Sequence, residues 1–308
     1  MYRVLVAACL VAATAACGHY SEATDEQSGW SLAPSLSQRR SYAAAAAVGG
    51  RIYVAGGMVG ETGRHLASFQ VFDPRLGRWS GLPALPEPVR AGAAAAVGSV
   101  VLVAGGTTPG GGGRQVFSSD VPRGGWKERA PLPEPRFNHA AVSLGGRVYV
   151  LGGFWAGRER RDVFVYDPAH DRWSRAASLP RPVHAFGGVA FRGEIWVVGG
   201  RRGERILREV WIYDRQSDAW RAGPPLPKPM ELLGVAATRT GIHVVAERTY
   251  QIYDSRSGRW RIGQSLLVPR HALSALVVAG RLYAVGGCRT PQLEDSQVVE
   301  SRSLGQEG

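Results

Sequence analysis

The sequence predicts an all-β fold, a six-bladed β-propeller, on two observations. Six tryptophans are each followed 26 residues later by a fixed point: Trp30 by Gly56, Trp79 by Gly105, Trp126 by Gly152, Trp173 by Gly199, Trp220 by Ala246 and Trp260 by Gly286. Five of these points read Gly-Gly, and the fifth in order reads Ala246-Glu247. Short β-branched and aromatic runs recur in constant phase with those points. A fixed interval of this size marks copies of one supersecondary unit that stack on one another. It overrides the two-domain prior that 308 residues would otherwise carry.

Each copy reads as four strands. The first two form a hairpin with a glycine turn, as in Ala43–Val48, Gly49-Gly50 and Arg51–Ala55, or Val142–Leu144, Gly145-Gly146 and Arg147–Leu151. Second strands are rich in strand formers: Ile52-Tyr53-Val54, Val148-Tyr149-Val150, Ile195-Trp196-Val197. The glycine pair then ends the strand where neighbouring chain comes close. A variable loop leads to a third strand that ends in an aromatic residue and Asp: Phe72-Asp73-Pro74, Tyr166-Asp167-Pro168, Tyr213-Asp214, Tyr253-Asp254. Asp starts the next turn. The tryptophan follows on strand four, packed between adjacent sheets; the second copy keeps this interval with Ser119-Asp120 before Trp126. The alanine runs Ala43–Ala47 and Ala93–Ala96 favour helix by propensity. Their phase makes them first strands, where small side chains suit a crowded axis.

The intervals also predict how the ring closes. From each fixed point to the next tryptophan the distances are 23, 21, 21, 21 and 14, so the fifth copy has a short loop. After Gly286-Gly287 a third strand falls near Gln297–Ser301, and no tryptophan follows it. The N-terminal strand around Trp30 would supply the missing fourth strand of the last blade and remove two open sheet edges.

Glycine pair, Tyr-Asp-Pro, Trp and a Leu-Pro-x-Pro-Arg-like run together resemble the kelch repeat. The last element appears as Leu82-Pro83-Ala84-Leu85-Pro86, Pro131-Leu132-Pro133-Glu134-Pro135-Arg136 and Leu226-Pro227-Lys228-Pro229. The resemblance spans residues 28–303 and leaves 304–308 as a tail. No tryptophan is followed by Asp, which sets the chain apart from the other common propeller repeat.

Residues 1–17 read as an export signal, with Arg3, the apolar run Val4–Ala13 and the small-residue site Thr14-Ala15-Ala16-Cys17. The pattern resembles a bacterial lipoprotein signal, which implies lipidation at Cys17; the alternative is an ordinary signal and a soluble periplasmic or secreted product. Gly18 in place of Asp points to the outer membrane, and residues 18–27 read as a polar tether. With Cys9 in the signal and Cys17 anchored, Cys288 is left without a disulfide partner.

The formal charge is +12, carried almost wholly by arginine, since Lys127 and Lys228 are the only lysines. No nucleic-acid recognition motif accompanies it. Residues 16 and 15 before each fixed point lie at strand entry, on the channel mouth: Arg40/Ser41, Val89/Arg90, Arg136/Phe137, Val183/His184, Met230/Glu231 and Arg270/His271. Loops after the glycines add Trp155, Arg158, Arg160, Arg161, Arg201, Arg202, Arg205, Glu247, Arg248 and Arg289. One reading is a basic mouth that binds an anionic glycan or a protein through Arg40, Arg90, Arg136, His184, Arg270, His271, Arg201, Arg248 and Arg289. The other has the arginines bracing strand entry.

Resemblance to the kelch-like sialic acid mutarotases (N-acetylneuraminate epimerase) implies a second function class, a sugar-carboxylate isomerase with Glu231 or Glu247 as acid/base group. Arg136, Arg270 or Arg248 would hold the carboxylate. A third kelch-like family, galactose oxidase, would need copper ligands; His139, His184 and His271 fall near the mouth but in separate copies. The expectation is a monomeric, non-catalytic binding scaffold without metal or cofactor.

Overall fold

A computed structural model describes residues 29–60, 63–289 and 294–305. The signal, Cys9, Cys17 and the tether lie outside the described residues. Among those described there is no α-helix, and the chain is built from six four-stranded antiparallel sheets. Sheet 1 runs Ala44–Val48, Arg51–Ala55, Phe69–Asp73 and Arg78–Leu82. Sheets 2, 3, 4 and 5 repeat this order, starting at Ala93–Val97, Ala140–Leu144, Gly187–Phe191 and Gly234–Ala237. Sheet 6 joins Ser274–Val278, Arg281–Val285 and Val299–Ser303 to the first strand of the chain, Trp30–Ala33. Its outer register pairs Trp30 with Arg302 and Ala33 with Val299. The alanine runs are strands, and the third strand of sheet 6 starts two residues later than its sequence suggests.

First strands of successive sheets lie side by side, and that of sheet 6 lies beside that of sheet 1. Six apolar clusters fill the spaces between sheets; one joins Tyr53, Phe69 and Val89 to Val101, Val103 and Phe117. Each tryptophan does more than pack there. Its indole N–H donates to a carbonyl that follows strand four of the preceding sheet: Trp79 to Pro34, Trp126 to Pro83, Trp173 to Ala130, Trp220 to Ala177 and Trp260 to Pro224, at 2.8–3.0 Å. Trp30, 1% exposed, donates to Gln264 at 2.9 Å.

The glycine pairs answer to the same contacts. A Cβ on Gly56 would meet the carbonyl oxygen of Val89 at 2.3 Å, and Gly57 donates its N–H to that oxygen at 2.8 Å. Gly287 donates likewise to Arg40, which carries the pattern from sheet 6 to sheet 1. In sheet 5, Glu247 takes the left-handed conformation with φ of 52° in place of glycine. There Ala246 pairs with Thr249, so the short loop is a tight hairpin turn at Glu247-Arg248.

Candidate functional site

Strand entry in five of the six copies, all but that of sheet 5, is a bridge between two sequence positions. The residue 15 before the fixed point lies opposite the one 2 after it: Ser41 faces Met58, Arg90 faces Thr107, Phe137 faces Phe154, His184 faces Arg201 and His271 faces Cys288. Extended chain alternates its side chains, so the neighbouring position, 16 before, points the other way. That column is buried throughout: Arg40 1% exposed, Val89 2%, Arg136 0%, Val183 4%, Met230 5% and Arg270 0%.

Three of the expected ligand-binding arginines therefore lie inside the protein. Arg40 donates to the carbonyl of Gly56 at 2.8 Å and to the Ser68 hydroxyl at 2.8 Å. Arg136 donates to the carbonyl of Gly152 at 2.9 Å and lies over the Phe164 ring at 4.6 Å. Arg270 donates to the carbonyl of Gly286 at 2.8 Å and to the buried Glu300 carboxylate at 2.6 Å. Glu300 also accepts the N–H groups of Leu267 and Val268. Burial pulls the Arg40 and Arg136 guanidinium groups down to about 10, yet both stay charged at neutral pH. These side chains saturate strand-end carbonyls that would otherwise be orphaned. Bracing is the role their geometry gives them.

The other column, apart from buried Ser41, is half-buried and forms the surface of the mouth. Arg90, half-buried, donates to the Thr107 hydroxyl at 3.1 Å and touches the Met58 sulfur at 3.5 Å. Beside it is a cavity of about 240 Å³ lined by Tyr42, Met58, Arg90, Ala91, Phe137 and Asn138. Phe137 continues into an aromatic patch, with ring centres 5.7 Å from Phe154 and 6.2 Å from Trp155; Phe154 is 5.2 Å from His184. The Nδ1 atom of His184 is 3.4 Å from Glu159. Burial pulls His184 below its ordinary value, with Glu159 and Glu231 acting against that shift.

The remaining candidates are spread around the rim. Arg201 clasps Glu231 through two bonds of 2.7 and 2.9 Å, and Arg202 clasps Glu209 in the same way. Both Glu231 oxygens are thus engaged by one guanidinium, which leaves that carboxylate poorly placed to shuttle a proton. Glu247 and Arg248 are exposed on the tight turn of sheet 5, and Arg289 is exposed next to buried Cys288. Burial raises the Cys288 thiol to about 11, away from the reactive thiolate range. His139 is buried, apart from half-buried His184 and His271. Among the described residues, no group of three His, Cys, Asp or Glu side chains is placed to hold a metal ion.

A feature absent from the sequence reading lies just inside this rim. The residues 14 before each fixed point are Tyr42, Ala91, Asn138, Ala185, Leu232 and Ala272, and all six have positive φ, between 48° and 55°. Each donates its N–H to the carbonyl of the corresponding residue in the preceding sheet, at 2.7–3.0 Å, and Tyr42 donates to Ala272. The six peptides form a girdle around the axis at the mouth. No glycine marks these positions; only their shared column could have drawn attention to them.

The comparisons with known proteins agree with this repeat geometry. The KLHDC2/KLHL20/DRC7 Kelch-repeats domain matches residues 42–245. The F-box/kelch-repeat protein At1g16250 of Arabidopsis thaliana is 39% identical over 59 residues, which is 19% of this chain and 15% of that protein. The chain thus spans well under a fifth of that relative's length. Strand order, glycine pairs, tryptophan bonds and the family match agree: the chain belongs to the kelch-repeat family.

Proposed function

We propose that this protein is a non-catalytic interaction scaffold, a closed six-bladed kelch propeller that binds a protein partner at the strand-entry mouth. Closure is supported by the pairing of Trp30–Ala33 with Val299–Ser303 and by contacts that run from sheet 6 to sheet 1 as they do between other sheets. Kelch repeats in general serve as protein-interaction scaffolds.

The observation that carries the binding site is the mouth cavity of about 240 Å³ between Arg90, Met58, Tyr42 and Phe137. It has room for one or two side chains of a partner. Half-buried aromatics and an arginine are the residue types that anchor protein interfaces. Burial of Arg40, Arg136 and Arg270 removes much of the expected basic ring and weighs against a polyanionic glycan. The Glu231–Arg201 clasp likewise weighs against the isomerase reading. Export and lipid anchoring at Cys17, in the bacterial outer membrane, remain part of the proposal on the sequence pattern alone.

Quantitative affinity capture tests this reading. The wild-type protein should retain a discrete protein from extracts of cells that express it. Arg90→Glu combined with Phe137→Ala should reduce recovery at least tenfold while leaving the melting temperature unchanged. Equal recovery by the double variant, or no retained protein, would overturn the assignment.

A further inference from the structure

One interface between sheets departs from the repeat. A column on strand three reads Val71, Ser118, Val165, Ile212, Ile252 and Ser301, and the column three residues after each tryptophan reads Leu82, Arg129, Ala176, Gly223, Gly263 and Ala33. Sheet 2 alone is polar in both. Val71, Val165, Ile212 and Ile252 pack into the apolar cluster shared with the following sheet. Serine at that place lacks the methyl groups that fill the gap elsewhere, and a cavity of about 110 Å³ lies there between sheets 2 and 3. Its walls are Val97, Val100 and Leu102 of sheet 2 and Val148, Tyr166 and Pro168 of sheet 3, with Ser118 and Arg129 completing it.

Arg129 brings a cation to this apolar hollow. The side chain is half-buried and permanently charged. Its Nε atom donates to the Ser118 hydroxyl at 2.8 Å, and among the described residues no carboxylate pairs with it. Asp171 is near enough to feel the Arg129 charge, but its Oδ1 atom is taken by the Tyr166 hydroxyl at 2.6 Å and the Ala130 N–H at 3.0 Å. One of five guanidinium N–H groups is therefore spent on Ser118, and the fork keeps donors for a planar carboxylate. An apolar body in the hollow would regain the contacts that valine or isoleucine makes in the other interfaces.

We propose that this hollow binds a small hydrophobic monocarboxylate, with a body the size of one ring or one short branched chain. A dry apolar cavity of about 150 Å³ takes benzene, which sets the scale. The carboxylate would sit on Arg129, with the body against Val100, Leu102 and Val148. Val97 and Val100 are half-buried and Pro168 is exposed, so the hollow opens where first strands turn into second, away from strand entry. The site is thus independent of the protein-binding reading.

An NMR titration that follows the methyl groups of Val100 and Val148 tests it, with benzoate, neutral benzamide and acetate as probes. Benzoate should shift both valines saturably, benzamide should bind at least tenfold more weakly, and acetate, which has no body to bury, should give no saturable shift. Ser118→Ile fills the hollow and should abolish benzoate binding. Arg129→Ala should weaken benzoate at least tenfold and erase its advantage over benzamide. Both substitutions install residues that other sheets carry in the same columns, so circular dichroism should match wild type. Arg90→Glu with Phe137→Ala should leave benzoate binding unchanged. No shift with benzoate, equal binding of benzamide, or wild-type benzoate affinity in either Ser118→Ile or Arg129→Ala would overturn the proposal.

Discussion

Val89, Val183 and Met230 share one column of the repeat with Arg40, Arg136 and Arg270. All six are buried, so the column is an interior one that tolerates either an apolar chain or a guanidinium bonded to strand-end carbonyls. Each of those arginines reaches the carbonyl of a strand-ending glycine. The apolar members were a readable signal for burial, yet the arginines drew attention by charge alone. A second buried group gives a pH dependence. Burial, with Arg136 nearby, holds the His139 imidazole neutral and pulls it down to about 3. An unfolded chain takes up that proton near pH ~6.5. His139 therefore contributes full stability above that pH and loses it as pH falls toward about 3. The loss should approach about 1.4 kcal/mol per pH unit below the unfolded value. His139→Gln should flatten the fall in denaturant-measured stability between neutral and mildly acidic pH. An unchanged slope would show that His139 titrates normally.

At the scale of the element, most of the architecture was readable. Tryptophan-to-glycine intervals placed the strands, and the Asp turns placed their ends. Two things were not readable. Side-chain direction at strand entry depends on the phase of one extended segment, which buries position 16 before the fixed point although both 16 and 15 read as mouth positions in the sequence. The axial girdle leaves no compositional trace, because Tyr42, Asn138 and Leu232 are held at positive φ by bonds to neighbouring sheets. The glycine pairs, by contrast, record a close approach directly. A Cβ at Gly199 would lie 2.6 Å from the Met230 carbonyl oxygen, whereas one at Gly193 would meet nothing within 4 Å. Both have positive φ. Gly193→Ala should thus cost only the conformational term of about 1 kcal/mol. Gly199→Ala should cost about 2 kcal/mol or more, because the next sheet must move as well. Chemical denaturation of the two variants measures the difference, and equal losses would remove the steric explanation for the pair.

Across the whole molecule, one set of repeated bonds has two consequences. Tryptophan indoles, second glycines and axial peptides each tie a sheet to its neighbour, and all three sets also link sheet 6 with sheet 1, the indole bond there being Trp79 to Pro34. If the ring closes as proposed, these bonds hold its seam in the same way as its other sheet-to-sheet contacts. Its weak point should be the seam, where Trp30–Ala33 is joined to Val299–Ser303 across the full length of the chain. Native-state hydrogen exchange of the protein at neutral pH addresses that seam directly. A closed six-bladed ring requires the cross-strand amides of Trp30–Ala33 to be as protected as those of the equivalent outer strand Arg78–Leu82. Exchange of Trp30–Ala33 at the rate of unstructured chain, with Arg78–Leu82 still protected, would contradict closure by the N-terminal strand.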